Sequence, residues 1–135
     1  MNCCPLKKFL SFVAVIFFVT TLAGCTPQHT EISMEEAQRI IAENGDKVII
    51  LDVRTKEEYY KNHIPNAVLL PIEEIKEGNF ESTLPDKNQQ ILVYCWTGRR
   101  AKDASKLLVH FGYKNVYSFG GLIDWTGEVE GDEVN

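Results

Sequence analysis

The stretch Ile91-Leu92-Val93-Tyr94-Cys95-Trp96-Thr97-Gly98-Arg99-Arg100 decides how this 135-residue chain folds. Four consecutive apolar or aromatic residues read as a buried strand. Arg100 to Phe111 reads as an amphipathic helix, with Ala101, Ala104, Leu107, Leu108 and Phe111 on one side and Gly112 as its stop. A buried strand followed at once by a helix is the repeating unit of a parallel sheet with helical crossovers. The loop between them holds one cysteine, one glycine and two arginines. Backbone N–H groups at a helix N-terminus attract negative charge, and neighbouring cations favour a thiolate. Cys95 therefore stands where an anion-cradled nucleophile would stand. A lone cysteine after an apolar strand is also a common small core residue. Arg99 and Arg100 tip the balance, because cations at the start of a helix oppose its dipole and call for a functional reason. Trp96 either shapes the mouth of a pocket or covers the core.

Outward from this loop the same alternation repeats. Ser33-Met34-Glu35-Glu36 is a capping box opening a helix through Ala37, Ile40 and Ile41, which Asn44-Gly45 ends. Val48 to Val53 is a strand, apolar except for Asp52, of the kind buried on both faces. Thr55-Lys56-Glu57-Glu58 is a second capping box, opening a short helix through Tyr59 and Tyr60. Ala67 to Leu70 is a strand stopped by Pro71, and Ile72 to Lys76 a single helical turn. Residues 77 to 89 read as loop. Gln90 to Tyr94 and Asn115 to Ser118 are further strands, and Leu122 to Thr126 a last short helix after Gly120-Gly121. The expected fold is α/β: a small parallel sheet with helices on both faces, three layers in all. Ligands in such sheets gather beyond the carboxyl ends of the strands. Cys95, Asp52 to Thr55 and Phe119 to Gly121 all lie at such ends. Asp52 and Arg54 are expected as scaffold, Asp52 bonding loop amides and Arg54 pairing with Glu58, with a place on the pocket rim as the alternative for Arg54. His63 is expected as a hydrogen-bonded turn residue, Gly120 and Gly121 as points of close backbone approach, and Trp125 as core.

The ends of the chain differ from its middle. Lys7 and Lys8 precede Phe9 to Gly24, a 16-residue run without charge, short for a membrane span but suited to a signal-peptide core. Leu22-Ala23-Gly24-Cys25 resembles the lipobox of bacterial lipoproteins. That resemblance implies cleavage after residue 24, lipid on Cys25, and a domain held at the extracytoplasmic face of the cell membrane. Residues 25–31 would be a linker, 32–126 the domain, and 127–135, with four acids, a disordered tail. Cleavage removes two lysines and no acid, taking the formal charge from −5 to −7. Such an acidic domain disfavours nucleic acid and an electrostatic grip on anionic lipid. Cys3 and Cys4 leave with the signal and Cys25 carries lipid. Cys95 is then the one free thiol, with no internal disulfide possible. Without a second cysteine or clustered histidines, no zinc site is expected.

Four stretches together resemble the single-domain rhodaneses. They are Leu51-Asp52-Val53-Arg54 with Glu58-Tyr59, His63-Ile64-Pro65-Asn66-Ala67, Tyr94 to Ala101, and Gly120-Gly121-Leu122-Ile123-Asp124-Trp125. Asn62 and Asn66 replace family glycines around the His-Ile-Pro turn, which asparagine's tolerance of left-handed backbone allows. Ala101 stands where the family often has serine. Related phosphatases and arsenate reductases carry arginine six positions after the cysteine. Here that position is Ala101, so the loop resembles the shorter one that holds a sulfur atom.

The resemblance implies a sulfurtransferase without cofactor, expected as a monomer. Cys95 would take a sulfane sulfur from thiosulfate or a persulfide and pass it to cyanide, a thiol or a protein cysteine. The amides of Trp96, Thr97, Gly98, Arg99 and Arg100 would cradle the anion, Gly98 allowing the tight curl, with Arg99 or Arg100 holding the donor. Competing functions are a sulfur-carrier or redox partner module and a non-catalytic anion-binding domain. Phosphatase or arsenate reductase activity ranks last.

Overall fold

The computed structural model describes residues 28–133. The expected signal segment, the Leu22–Cys25 lipobox, most of the linker and the last two residues of the tail lie outside them. Among the described residues no helix is long and apolar enough to cross a membrane.

Among the described residues, five parallel strands form one sheet in the order β1-β5-β4-β2-β3. In chain order these are β1 (Thr30–Glu31), β2 (Val48–Asp52), β3 (Val68–Leu69), β4 (Gln90–Cys95) and β5 (Asn115–Gly121). Four helices connect them: α1 (Met34–Asn44), α2 (Lys56–Lys61), α3 (Ile72–Glu77) and α4 (Arg99–His110). The three-layer α/β arrangement is the one the sequence predicts, and alternation along the central strands shows how it is specified. Leu51, Ile91, Val93 and Cys95 face α3 and α4, packing with Ile75, Ala104 and Leu108. Val48, Ile50, Leu92 and Tyr94 face the other way, against Ala37 and Ile40 of α1. Both faces of β2 and β4 are therefore buried, which is why these segments read as continuous apolar runs.

Both predicted helix starts are capped. The Ser33 hydroxyl accepts from the Glu36 N–H at 3.1 Å. At α2 the box is reciprocal: the Thr55 hydroxyl accepts from the Glu58 N–H, and the Glu58 carboxylate accepts from the Thr55 N–H at 3.0 Å.

Four expectations need correction. The linker ends early, because Thr30 and Glu31 pair with Tyr117 and Ser118 as an edge strand. Two exposed polar residues carry no apolar period by which to announce a strand. The tail is ordered as far as Glu133. His63 and Glu130 exchange backbone hydrogen bonds of 2.7 and 2.9 Å, and the N–H groups of Asp132 and Glu133 donate to the Tyr60 and Lys61 carbonyls. Backbone pairing holds this acidic segment against α2 despite its charge. The last helix is a single 3₁₀ turn, Leu122–Asp124. Asn66 does adopt the left-handed conformation at φ 63°, whereas Asn62 is extended at φ −161° and needs no such freedom.

Arg54 is also placed differently. It pairs with Asp52, not Glu58: its Nη2 lies 2.7 Å from Asp52 Oδ2, and both side chains are fully buried. Nη2 also donates to the Asn62 carbonyl at 2.6 Å, and the Arg54 N–H to Asp52 Oδ1 at 2.9 Å. Burial works against the guanidinium's charge, and the hydrogen bonds and charge of Asp52 overcome it, so Arg54 holds its proton more tightly than usual. Burial, followed by the Asp52 carboxylate, pushes the Tyr94 phenol well above its usual range. Tyr94 stays a neutral hydroxyl whose oxygen accepts from the Ile64 N–H at 3.1 Å. Replacing Asp52 by alanine strands a buried guanidinium. Asp52→Ala should lower unfolding free energy by about 3–5 kcal/mol, read as a drop in the urea midpoint at constant slope.

Candidate active site

Cys95 is the last residue of β4 and is 1% exposed. After it the chain turns through Trp96-Thr97-Gly98 into α4. Gly98 makes the turn at φ 95°, a conformation that side chains resist. Its N–H comes back to the thiol and donates to Cys95 Sγ at 3.0 Å. The curl is pressed from outside by β5. A bulge between Val93 and Cys95 gives β5 one extra residue and brings Gly121 opposite Cys95. A Cβ on Gly121 would stand 2.1 Å from the Trp96 carbonyl oxygen, so backbone lies directly on backbone there. The Ile123 N–H then donates to that same carbonyl at 3.1 Å.

Arg100 leaves the first turn of α4 and reaches Glu58 on α2. Its Nη1 and Nη2 each lie 2.7 Å from a different Glu58 oxygen. Arg100 holds its proton more tightly than usual, first through the bond to Glu58, against the effect of burial, with smaller contributions from the Glu58 charge and from Cys95. The Arg100 guanidinium in turn holds the Glu58 carboxyl at about 2, burial opposing and the Thr55 N–H assisting.

The structure thus brings three of the predicted site residues together: Cys95, Gly98 and Arg100. The other three face outward from the loop. Trp96, 42% exposed, lines a cleft of about 310 Å³ with Arg54, Glu58, Lys61 and Glu133. Thr97 and Arg99 line a cleft of about 450 Å³ on the other side of the loop, with Glu31 and Lys102. Lys102 is paired with Glu31 at 2.6 Å. The two arginines, equivalent in sequence, are therefore divided: Arg100 binds Glu58 and Arg99 lines the outer cleft. Sequence reasoning missed Glu58 and Glu133 at this site. The capping box located Glu58, but its partner lies 42 residues away and leaves no local signal.

His63 has the expected turn role. Its Nδ1 is 2.8 Å from the Tyr59 carbonyl and its ring stacks on Tyr59 at 3.7 Å. Among the described residues, no group of three or more His, Cys, Asp or Glu side chains could hold a metal ion.

Comparison with known proteins points one way. Residues 33–128 match the family described as Rhodanese-like domain. Thiosulfate sulfurtransferase PspE of Escherichia coli (strain K12) is 39% identical over 74 residues, 55% of this chain and 70% of that protein. Putative sulfur carrier protein YrkF of Bacillus subtilis (strain 168) is 36% identical over 101 residues, 74% of this chain; the chain spans 52% of that protein. The solved structure of a rhodanese with anions from E. coli superposes with a TM-score of 0.57 at 34% identity, covering 62% of this chain and 98% of that one.

The Glu58–Arg100 pair makes a pH prediction. A carboxyl lowered from 4.5 to about 2 on folding stabilises the protein above pH 4.5, and that contribution disappears as pH falls through about 2. The difference in thermal midpoint between wild type and Glu58→Gln should therefore shrink steadily over this range. A difference independent of pH would contradict the pairing.

Proposed function

This chain belongs to the rhodanese-like family, and we propose that it is an extracytoplasmic, lipid-anchored sulfurtransferase working through a persulfide on Cys95. The observation that carries the proposal is the thiol at the carboxyl end of β4, which accepts the Gly98 N–H at 3.0 Å just before the first turn of α4 that carries Arg100. A rigid backbone N–H directed at sulfur favours negative charge developing there.

The Cys95 thiolate attacks the outer sulfur of the donor. A Cys95 sulfur–sulfur bond forms, the donor's own bond breaks, and its electron pair leaves on sulfite, or on a thiolate when the donor is a persulfide. The charge now rests on the terminal sulfur of the persulfide, beside the loop amides. An acceptor nucleophile attacks that terminal sulfur and carries it away, as thiocyanate when the acceptor is cyanide. Cys95 regains its electron pair as a thiolate, so no external oxidant or reductant is needed. The arrangement of the loop favours sulfur over phosphate chemistry. Position 101 is alanine, and Arg100 is already engaged by Glu58 rather than free to clamp a tetrahedral anion.

Delivery to a protein rather than to a small acceptor is a second reading with its own support. Trp96 and Ile123 are exposed apolar residues, 42% and 57%, held close in backbone by the Ile123 N–H on the Trp96 carbonyl. The lipid anchor rests on the Leu22–Cys25 motif.

Intact-mass spectrometry of the protein purified from membranes tests both parts. After thiosulfate treatment the mass should rise by one sulfur atom, and Cys95→Ser should stay unchanged. Before treatment the protein should start at residue 25 and carry lipid, and Cys25→Ala should lose it. No sulfur gain on the wild type with any donor, in folded protein, would overturn the enzymatic proposal. A mass equal to that of the full unmodified chain would overturn the anchor.

A further inference from the structure

The cleft that Trp96 lines borders the cysteine loop, and the positive charges in it and beside it are spoken for. Arg54 is bound to Asp52 at 2.7 Å. Arg100 gives both of its terminal nitrogens to Glu58. Lys61 has Glu133 at 3.6 Å. Arg99, which has no carboxylate within 4 Å among the described residues, lines the cleft on the opposite side of the loop. A doubly charged donor entering beside Trp96 must therefore approach two carboxylates, Glu58 and Glu133, without an uncompensated cation to meet it. Of the two, Glu58 is the built element. It is one-third exposed, anchored by the Thr55 cap at the start of α2, and engaged with the guanidinium of Arg100 in the first turn of the helix that follows the cysteine loop. Glu133 is exposed and loosely paired.

We propose that Glu58 is a specificity-determining positioning residue: by occupying the fork of Arg100 it tunes the site toward sulfur donors of low negative charge and against the thiosulfate dianion. This rests on the sulfur-transfer function proposed above and names the donor class of that site. The effect is electrostatic and geometric together. The carboxylate takes up the two hydrogen-bond donors that would otherwise face the sulfonate oxygens of thiosulfate, and it places a full negative charge beside their path.

Two isosteric donors isolate the charge. Thiosulfate carries two negative charges and loses sulfite. Methanethiosulfonate has a methyl group in place of one oxygen, carries a single negative charge and loses methanesulfinate. In each case the Cys95 thiolate takes the outer sulfur and the leaving group keeps the electron pair. The full-length protein is mixed with each donor, and the second-order rate of sulfur loading is followed by intact mass. Replacing Glu58 by glutamine keeps an oxygen to accept from the Thr55 N–H and removes the charge. Glu58→Gln should raise the rate ratio of thiosulfate to methanethiosulfonate about tenfold, the order expected when one unit charge acts on one extra unit charge across a partly solvated cleft. Glu58→Asp, which keeps the charge on a shorter arm, should hold the ratio near that of the wild type and covers the case in which the glutamine variant does not fold. Equal changes for both donors in Glu58→Gln, in either direction, overturn the proposal. So does a rise of the ratio in Glu58→Asp. Failure of the wild type to load from either donor would sink the sulfur-transfer reading instead, so the two failures are distinguishable.

Discussion

The buried pairing of Asp52 with Arg54 is the constraint from which the rest of the site follows. Neither charge could remain in the interior alone, since an unpartnered buried ion is far more expensive than the pair. Together they do more than neutralise each other. Arg54 extends from the end of β2 to the Asn62 carbonyl, just beyond α2, and so ties the two ends of that helix segment to the sheet. The ring of Tyr94 lies 5.7 Å from the guanidinium, joining β4 to the same cluster. With α2 fixed in this way, Glu58 is carried on its first turn to face α4, and Arg100 finds its partner there. The Glu58–Arg100 pair beside the cysteine loop is thus held in place by the cluster around Arg54.

The shape of the cysteine loop has a different origin, in backbone crowding rather than charge. The loop is enclosed by the bulged end of β5 and is held by the Ile123 N–H on the Trp96 carbonyl. Gly98 can then present its N–H to sulfur without a flexible side chain taking part. A donor supplied by rigid backbone loses little freedom when it stabilises a developing anion, which is what preorganised catalysis requires.

How far the sequence could be read depended on whether the signal was local. Apolar runs located β2 and β4, the Ser33 and Thr55 caps located α1 and α2, and the residues between Tyr94 and Arg100 located the candidate site. Each of these is written within a few consecutive residues. What escaped was long-range. Thr30 and Glu31 become a strand only because β5 offers an unpaired edge. The segment around Glu130 is ordered by backbone bonds to His63, which its acidic composition conceals. Arg54 has Asp52 and Glu58 at plausible spacings, and the choice between them is made by burial. Glu58 in turn is bound by an arginine far along the chain. The division of labour between Arg99 and Arg100 is a matter of helix rotation, which adjacent letters do not reveal.

Two positions around the thiol accept nothing but glycine, one for its dihedral angle and one for want of space. Trp96, Thr97 and Arg99, interleaved with them, point into the clefts. Heritable variation is thereby partitioned: the scaffold of the loop is nearly immutable, while the outward surfaces around it can drift under selection at little risk to foldedness. A lineage could exchange one sulfur trade for another by altering outward residues alone, without passing through an ancestor that had lost its catalytic framework.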